Sequence, residues 1–198
     1  MKIKAKWLRI EEHTNALDYL EKIYLYLLNP DKHHYSWKWI MICLHGAMYG
    51  FAISACKGSN SESVIEHTKR GEKLIYFNTA LKRCQDINWM RYAMADKVLV
   101  LNDSQKKSIK RMNMTFRNEF EHFKPKGWSI EFHDFPIIVL GCLDVIRMLS
   151  VDTDTKYRLG ESKLRRTKSL IYQSKKIIIQ SDLYKETLRL IEMKTQNE

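Results

Sequence analysis

Trp39 to Cys56 reads WIMICLHGAMYGFAISAC, 18 residues with His45 as the only ionisable side chain. That length reaches the lower limit for crossing a bilayer, and Gly46-x-x-x-Gly50 is a spacing that lets helices approach closely in lipid. Against insertion stand His45 near the middle, Ser54, and Lys38 and Lys57 hard against the two ends, with no second apolar span in the chain. The stretch reads instead as the central helix of a bundle, apolar all round because it is surrounded. The two glycines then let a neighbouring helix pack at short distance.

Outward from this helix the pattern stays helical. Seven Gly and three Pro in 198 residues, with nine Met, favour long helices over turn-rich β architecture. Leu17, Leu20, Tyr24, Leu27 and Leu28 recur at three- and four-residue steps, predicting a first helix over 10–28 that ends at Asn29-Pro30. The second helix spans 35–56, and the polar run 58–71 reads as a loop. A short helix follows Asn78-Thr79 to about residue 85, and 86–101 suits helix at its start and strand at its end. Asn102-Asp103-Ser104 offers caps for a long helix with the stripe Ile109, Met112, Phe116, Phe120 and Phe123. Asp134 before Phe135-Pro136 starts another, over 135–150. Residues 151–160 read as a linker. From Lys163 onward the chain is basic and helical in pattern, although Lys175 to Ile179 also suits a strand. The expected fold is all-α: an up-and-down bundle of four to five helices over 1–150, with a basic, helical C-terminal extension over 151–198.

The formal net charge of +11 predicts attraction to polyanions, either nucleic acid or an anionic membrane. The excess gathers on the long helix and its exit (Lys110, Arg111, Lys124, Lys126) and in the C-terminal part (Arg165, Arg166), away from the apolar stretch. Nucleic acid is therefore the expected polyanion, not a membrane. Basic residues open the chain, but Arg9, Glu11 and Glu12 stand where an export signal needs its apolar core, so a cytoplasmic location is expected. Cys43, Cys56, Cys84 and Cys142 are widely spread, with no Cys-x-x-Cys. They read as reduced, buried thiols. His33-His34 lack a third ligand at suitable spacing; neither a metal nor another cofactor is expected. His45 reads as a core histidine, and Trp37, Trp39 and Trp89 as packing residues.

The long helix ends in Arg117-Asn118-Glu119-Phe120-Glu121-His122. At 100° per residue, Asn118 and His122 lie one turn apart on a face away from Phe116 and Phe120, and the long Arg117 side chain reaches toward them. An exposed helix end with a dipole-stabilised histidine is one reading of these residues. The other is chemical. A base titrating near neutrality, a phosphate-shaped cation and a neutral amide are the groups that cleave RNA without a metal.

Arg117-Asn118 with His122 resembles the Arg-polar-(three to five residues)-His motif of the HEPN superfamily, all-α domains of prokaryotic RNase toxins and antiviral systems. The wider run Arg117 to Glu131, with Trp37-Lys38-Trp39, Leu44-His45 and Gly50-Phe51, is similar to an uncharacterised bacterial HEPN-like group, and the likeness covers about residues 10–150. The resemblance implies a homodimer whose two motifs meet in a composite cleft. It implies metal-independent endoribonuclease activity leaving a 2′,3′-cyclic phosphate, in a toxin–antitoxin or phage-defence setting, with an antitoxin protein as a further partner. Arg117 would stabilise the phosphate, His122 act as base, and Asn118 orient them. Where toxins paired with a minimal nucleotidyltransferase antitoxin carry a modifiable Tyr two residues after the His, this chain has Lys124. The alternative is a catalytically silent HEPN-like module that binds nucleic acid or protein.

Overall fold

The computed structural model of the chain describes residues 6–32, 35–93, 97–121, 127 and 129–196. It is an all-α bundle with one small two-stranded sheet. Helix α1 (Glu12–Leu28) begins at a reciprocal cap in which the Glu11 N–H donates to Thr14 Oγ1 at 3.1 Å. It packs along α2 (Ser36–Lys57), with Gly46 against the Tyr19 ring and Gly50 against Glu12 and Ala16, so the two run antiparallel.

Helix α2 is the axis of the molecule. Besides α1 it packs on α3 (Phe77–Gln85), on α7 (Phe135–Val151) and on the segment 111–117. Ile40, Met41, Leu44, Ala47, Met48, Phe51, Ala52 and Ala55 are fully buried, from several sides of the helix. It is the one stretch among the described residues long and apolar enough to cross a membrane, and most of it is buried inside the bundle. Its uniform apolarity is accounted for by helix neighbours.

Between α2 and α3 the expected polar loop 58–71 is part of a β-hairpin: β1 (Ile65–Thr68) pairs antiparallel with β2 (Gly71–Leu74), Ile65 opposite Leu74 and Thr68 opposite Gly71. Its anchor is apolar, since Val64 and Ile75 at the open end are buried and the Ile75 N–H donates to the Val64 carbonyl at 2.9 Å. The strands themselves are too polar to announce it. Helix α4 (Ile87–Tyr92) is capped by Asp86, so 86–101 is helical at its start as expected, whereas 97–102 is irregular and not a strand, with the Leu99 N–H donating to the Cys84 carbonyl at 2.7 Å.

The long helix is present but not uniform. Asn102 caps α5 (Asp103–Lys110) in a reciprocal pair with Gln105, the chain continues as a π-helical segment over Arg111–Arg117, and α6 (Asn118–Glu121) closes it. Ile109, Met112 and Phe116 are buried as the stripe required, and Asn113 is buried with them. Phe123 lies outside the described residues.

Helix α7 starts where Asp134-Phe135-Pro136 predicts, although the Asp134 carboxylate pairs with Arg111 instead of capping the helix. The linker expected over 151–160 reduces to 152–154. Helix α8 (Thr155–Gln180) begins at once, bends at Gly160 (φ 68°) and lies across α1 and α7, adding Leu159, Leu170, Ile171 and Ile178 to the same core. Lys175 to Ile179 is helix within α8, not strand. Helix α9 (Asp182–Gln196) is peripheral, its Thr187 hydroxyl donating to the His133 carbonyl at 2.6 Å.

Candidate functional site

A π-helical turn holds about one residue more than an α-helical one, so it rotates every later side chain relative to an α-helical count. Here the effect falls immediately before the Arg117 motif. Asn113 turns inward to α3, where its Nδ2 donates to Asn78 Oδ1 at 3.3 Å. Arg117 and Asn118, expected on a face that the chain leaves uncovered, are both half-buried. They line an open cleft of about 300 Å³ together with His45 and Tyr49 of α2, Tyr76, Phe77 and Asn78 at the start of α3, and Asn113.

Arg117 is held from two directions. One Nη donates to Asn118 Oδ1 at 3.1 Å, and the other pairs with the Glu121 carboxylate at 2.5 Å, one turn on. Its Nε is buried and has no hydrogen-bond partner among the described residues. A guanidinium is a planar, permanently charged fork that suits an anion with several oxygens, and here such an anion would compete with Glu121 for it. His122, Lys124 and Lys126 lie outside the described residues, as do His33 and His34.

His45 is not the core histidine expected from the sequence. Its ring lies 4.6 Å from that of Phe77 and 5.9 Å from that of Tyr49, on the wall of the cleft. Burial, reinforced by the positive Arg117, pushes its imidazole down to about 4. It is neutral at physiological pH and too weak a base to be matched to proton abstraction there.

Below its ordinary value of 6.5 the unfolded chain binds a proton at His45 that the folded chain refuses until about 4, so stability falls as pH drops through that window. Unfolding in urea is expected to show wild-type protein losing up to about 2 kcal/mol at this site between pH 7 and pH 5. Buried His13 contributes in the same direction; His45→Gln isolates the His45 share and should flatten the profile. Identical pH profiles for the two proteins would refute the assignment.

Asn78 and Asn113 also line a separate hollow of about 300 Å³, whose other walls include the apolar Leu81, Leu101, Ile109 and Met114 with Lys82, Lys106 and Lys110. Lys110 thus lies in this neighbouring hollow and not among the residues lining the Arg117 cleft. Arg111 turns away, its guanidinium on Asp134 and over the Phe116 ring at 5.4 Å. Arg165 and Arg166 sit on α8, paired with Glu161 and with Glu21 of α1, and are not among the residues lining either hollow. Among the described residues no three His, Cys, Asp or Glu side chains converge into a set that could hold a metal ion.

Trp37 meets the edge of Phe135 at 5.5 Å and Trp89 donates from its ring to the Cys56 carbonyl at 3.0 Å, both packing roles. The residues that sequence reasoning passed over are Tyr49, Tyr76, Phe77, Asn78 and Asn113. Only Asn78 carried a local signal, as a helix cap; instead it stands inside the first turn of α3 with its side chain on Asn113. Comparison of the chain with protein-family models, with curated proteins and with solved structures found no match.

Proposed function

We propose that the protein is a metal-independent endoribonuclease of the HEPN type, cytoplasmic and dimeric, acting in a toxin–antitoxin or phage-defence setting. The observation that carries the reading is the cleft itself: Arg117 and Asn118 stand together in it, and the hollow that shares Asn78 and Asn113 with it has Lys82, Lys106 and Lys110 in its lining. A chain of phosphates needs both parts, a guanidinium at the reacting one and a positive track for those beyond it.

In this mechanism His122 takes the proton of a ribose 2′-hydroxyl and the freed oxygen attacks the adjacent phosphorus. The bond from phosphorus to the 5′-oxygen breaks, that oxygen takes up a proton, and the products are a 2′,3′-cyclic phosphate and a 5′-hydroxyl. Arg117 stabilises the charge that builds on the non-bridging oxygens, and Asn118, bonded to it, fixes its plane. His122 enters on the strength of the motif. A second subunit would close the open side of the cleft and exclude water.

The second reading, a silent binding module, is favoured by one observation: Glu121 already neutralises Arg117. Incubating purified protein with total RNA in EDTA separates the two. Cleavage leaving cyclic-phosphate ends supports the enzyme, and intact RNA at low and high salt supports the module. Sedimentation at micromolar concentration tests the dimer, and a cleaving monomer would place the whole site within one chain.

A further inference from the structure

The end of the cleft away from the lysines is aromatic. Tyr76 stands at its mouth 64% exposed, with the Lys73 ammonium over one face of the ring at 4.1 Å from the centroid. Behind it the wall is Phe77 and His45, ring against ring. A large exposed ring lining the same cleft as a guanidinium is what single-stranded nucleic acids stack on.

The polar groups beside these rings are unlike a phosphate site. Asn113 Nδ2 is spent on Asn78 Oδ1, which leaves the Asn78 amide N–H groups as donors and the Asn113 carbonyl oxygen as an acceptor on two bonded residues that line the cleft. A donor next to an acceptor is the complement of the N6 and N7 edge of adenine. Neither amide carries charge, so together they discriminate by pattern.

We propose that this part of the cleft is a nucleobase pocket in which an unpaired base, adenine fitting best, stacks on Tyr76 and is read by Asn78 and Asn113, with its attached phosphate on Arg117. The pocket deepens the ribonuclease reading and rests on it for the phosphate. It makes the protein selective for single-stranded RNA, because a base inside a duplex cannot reach a ring within a cleft.

The test uses ligands that cannot be cleaved. Binding of 2′-O-methyladenosine 3′-phosphate to the full-length protein is compared by calorimetry with that of the same sugar phosphate lacking the base. The base is expected to strengthen binding by about tenfold or more. Tyr76→Ala should remove most of that preference while leaving affinity for the base-free phosphate unchanged, and Asn78→Ala should remove most of it as well. Tyr76→Phe, which keeps the ring, should retain it and guards against a merely structural effect. Equal affinity for the two ligands, or a preference that survives Tyr76→Ala, overturns the proposal. A protein that prefers the base but leaves RNA intact in EDTA keeps the pocket and loses the nuclease; cleavage without a base preference does the reverse.

Discussion

Arg117→Ala is expected to lower the rate of RNA cleavage in EDTA by about a hundred- to a thousandfold, the usual cost of one donor aimed at charge developing in a transition state. His122→Ala should cost about as much or more, within the range of about a hundred- to ten-thousandfold for removing a general base. The fold should survive the first change. Arg117 is half-buried and its ion-pair partner Glu121 is exposed, so truncation leaves no charge stranded in the interior. Near-wild-type melting with collapsed activity is thus the signature to look for. Arg117→Lys keeps the charge and loses the fork, and should recover only part of the rate. Glu121→Gln should act in the opposite direction. Its carboxylate competes with substrate for the same guanidinium, so its loss is expected to lower KM a few-fold with kcat little changed. An Arg117→Ala protein that cleaves at the wild-type rate would remove this residue, and the cleft with it, from the reaction.

The parts of the molecule that were legible in the sequence are those governed by short-range pattern. An 18-residue apolar run with one histidine and lysines at its ends admits few placements, and α2 occupies the one that surrounds it. Asn102 with Gln105 three residues later is a local cap signature, and α5 starts there. The candidate site was legible as a motif but not as a surface. Counting at 100° per residue places Asn118 on the side away from Phe116, but it does not show that His45 and Tyr49 of α2 and Phe77 and Asn78 of α3 border that side and make it a cleft, nor that the chain is π-helical over Arg111–Arg117. No propensity scale signals such a turn, because its stabilising contacts are tertiary: Asn113 with Asn78, and Phe116 edge-on to Phe135 at 4.7 Å. His45 was hidden for the same reason. A histidine within an apolar run reads as core until Phe77 and Arg117, both remote in sequence, are seen beside it. The hairpin escaped notice because Ile65 to Thr68 and Gly71 to Leu74 are short and polar, and what holds it to the bundle is tertiary: the buried Val64 and Ile75, and the Tyr49 hydroxyl on the Ile75 carbonyl.

The second large effect is expected at Gly50, where α1 presents a backbone atom to α2. A Cβ built there would lie 2.8 Å from the Glu12 carbonyl oxygen and 2.9 Å from Ala16 Cβ. Gly46 is crowded differently: its Cβ would meet the Tyr19 ring at 2.6 Å, but Tyr19 is half-exposed and its ring can swing aside. The Glu12 carbonyl has no such freedom, since it belongs to the first turn of α1, whose start is tied by the Glu11–Thr14 cap and by the ion pair of Glu12 with Lys57 at 3.0 Å. Relief therefore requires moving α1 as a body, which disturbs the burial of Leu20, Ile23 and Leu27 behind it. Overpacking of this kind costs about 3 kcal/mol, and replacing Gly by Ala inside a helix returns about 1 kcal/mol, so Gly50→Ala should lose about 2 kcal/mol. Gly50→Val adds two methyl groups in the same space and should lose more, enough to threaten folding in a domain whose whole stability is about 5–15 kcal/mol. Gly46→Ala should lose distinctly less than Gly50→Ala. Urea midpoints of the three variants test the order, and a Gly50→Ala protein as stable as wild type would mean that the two helices are not this close.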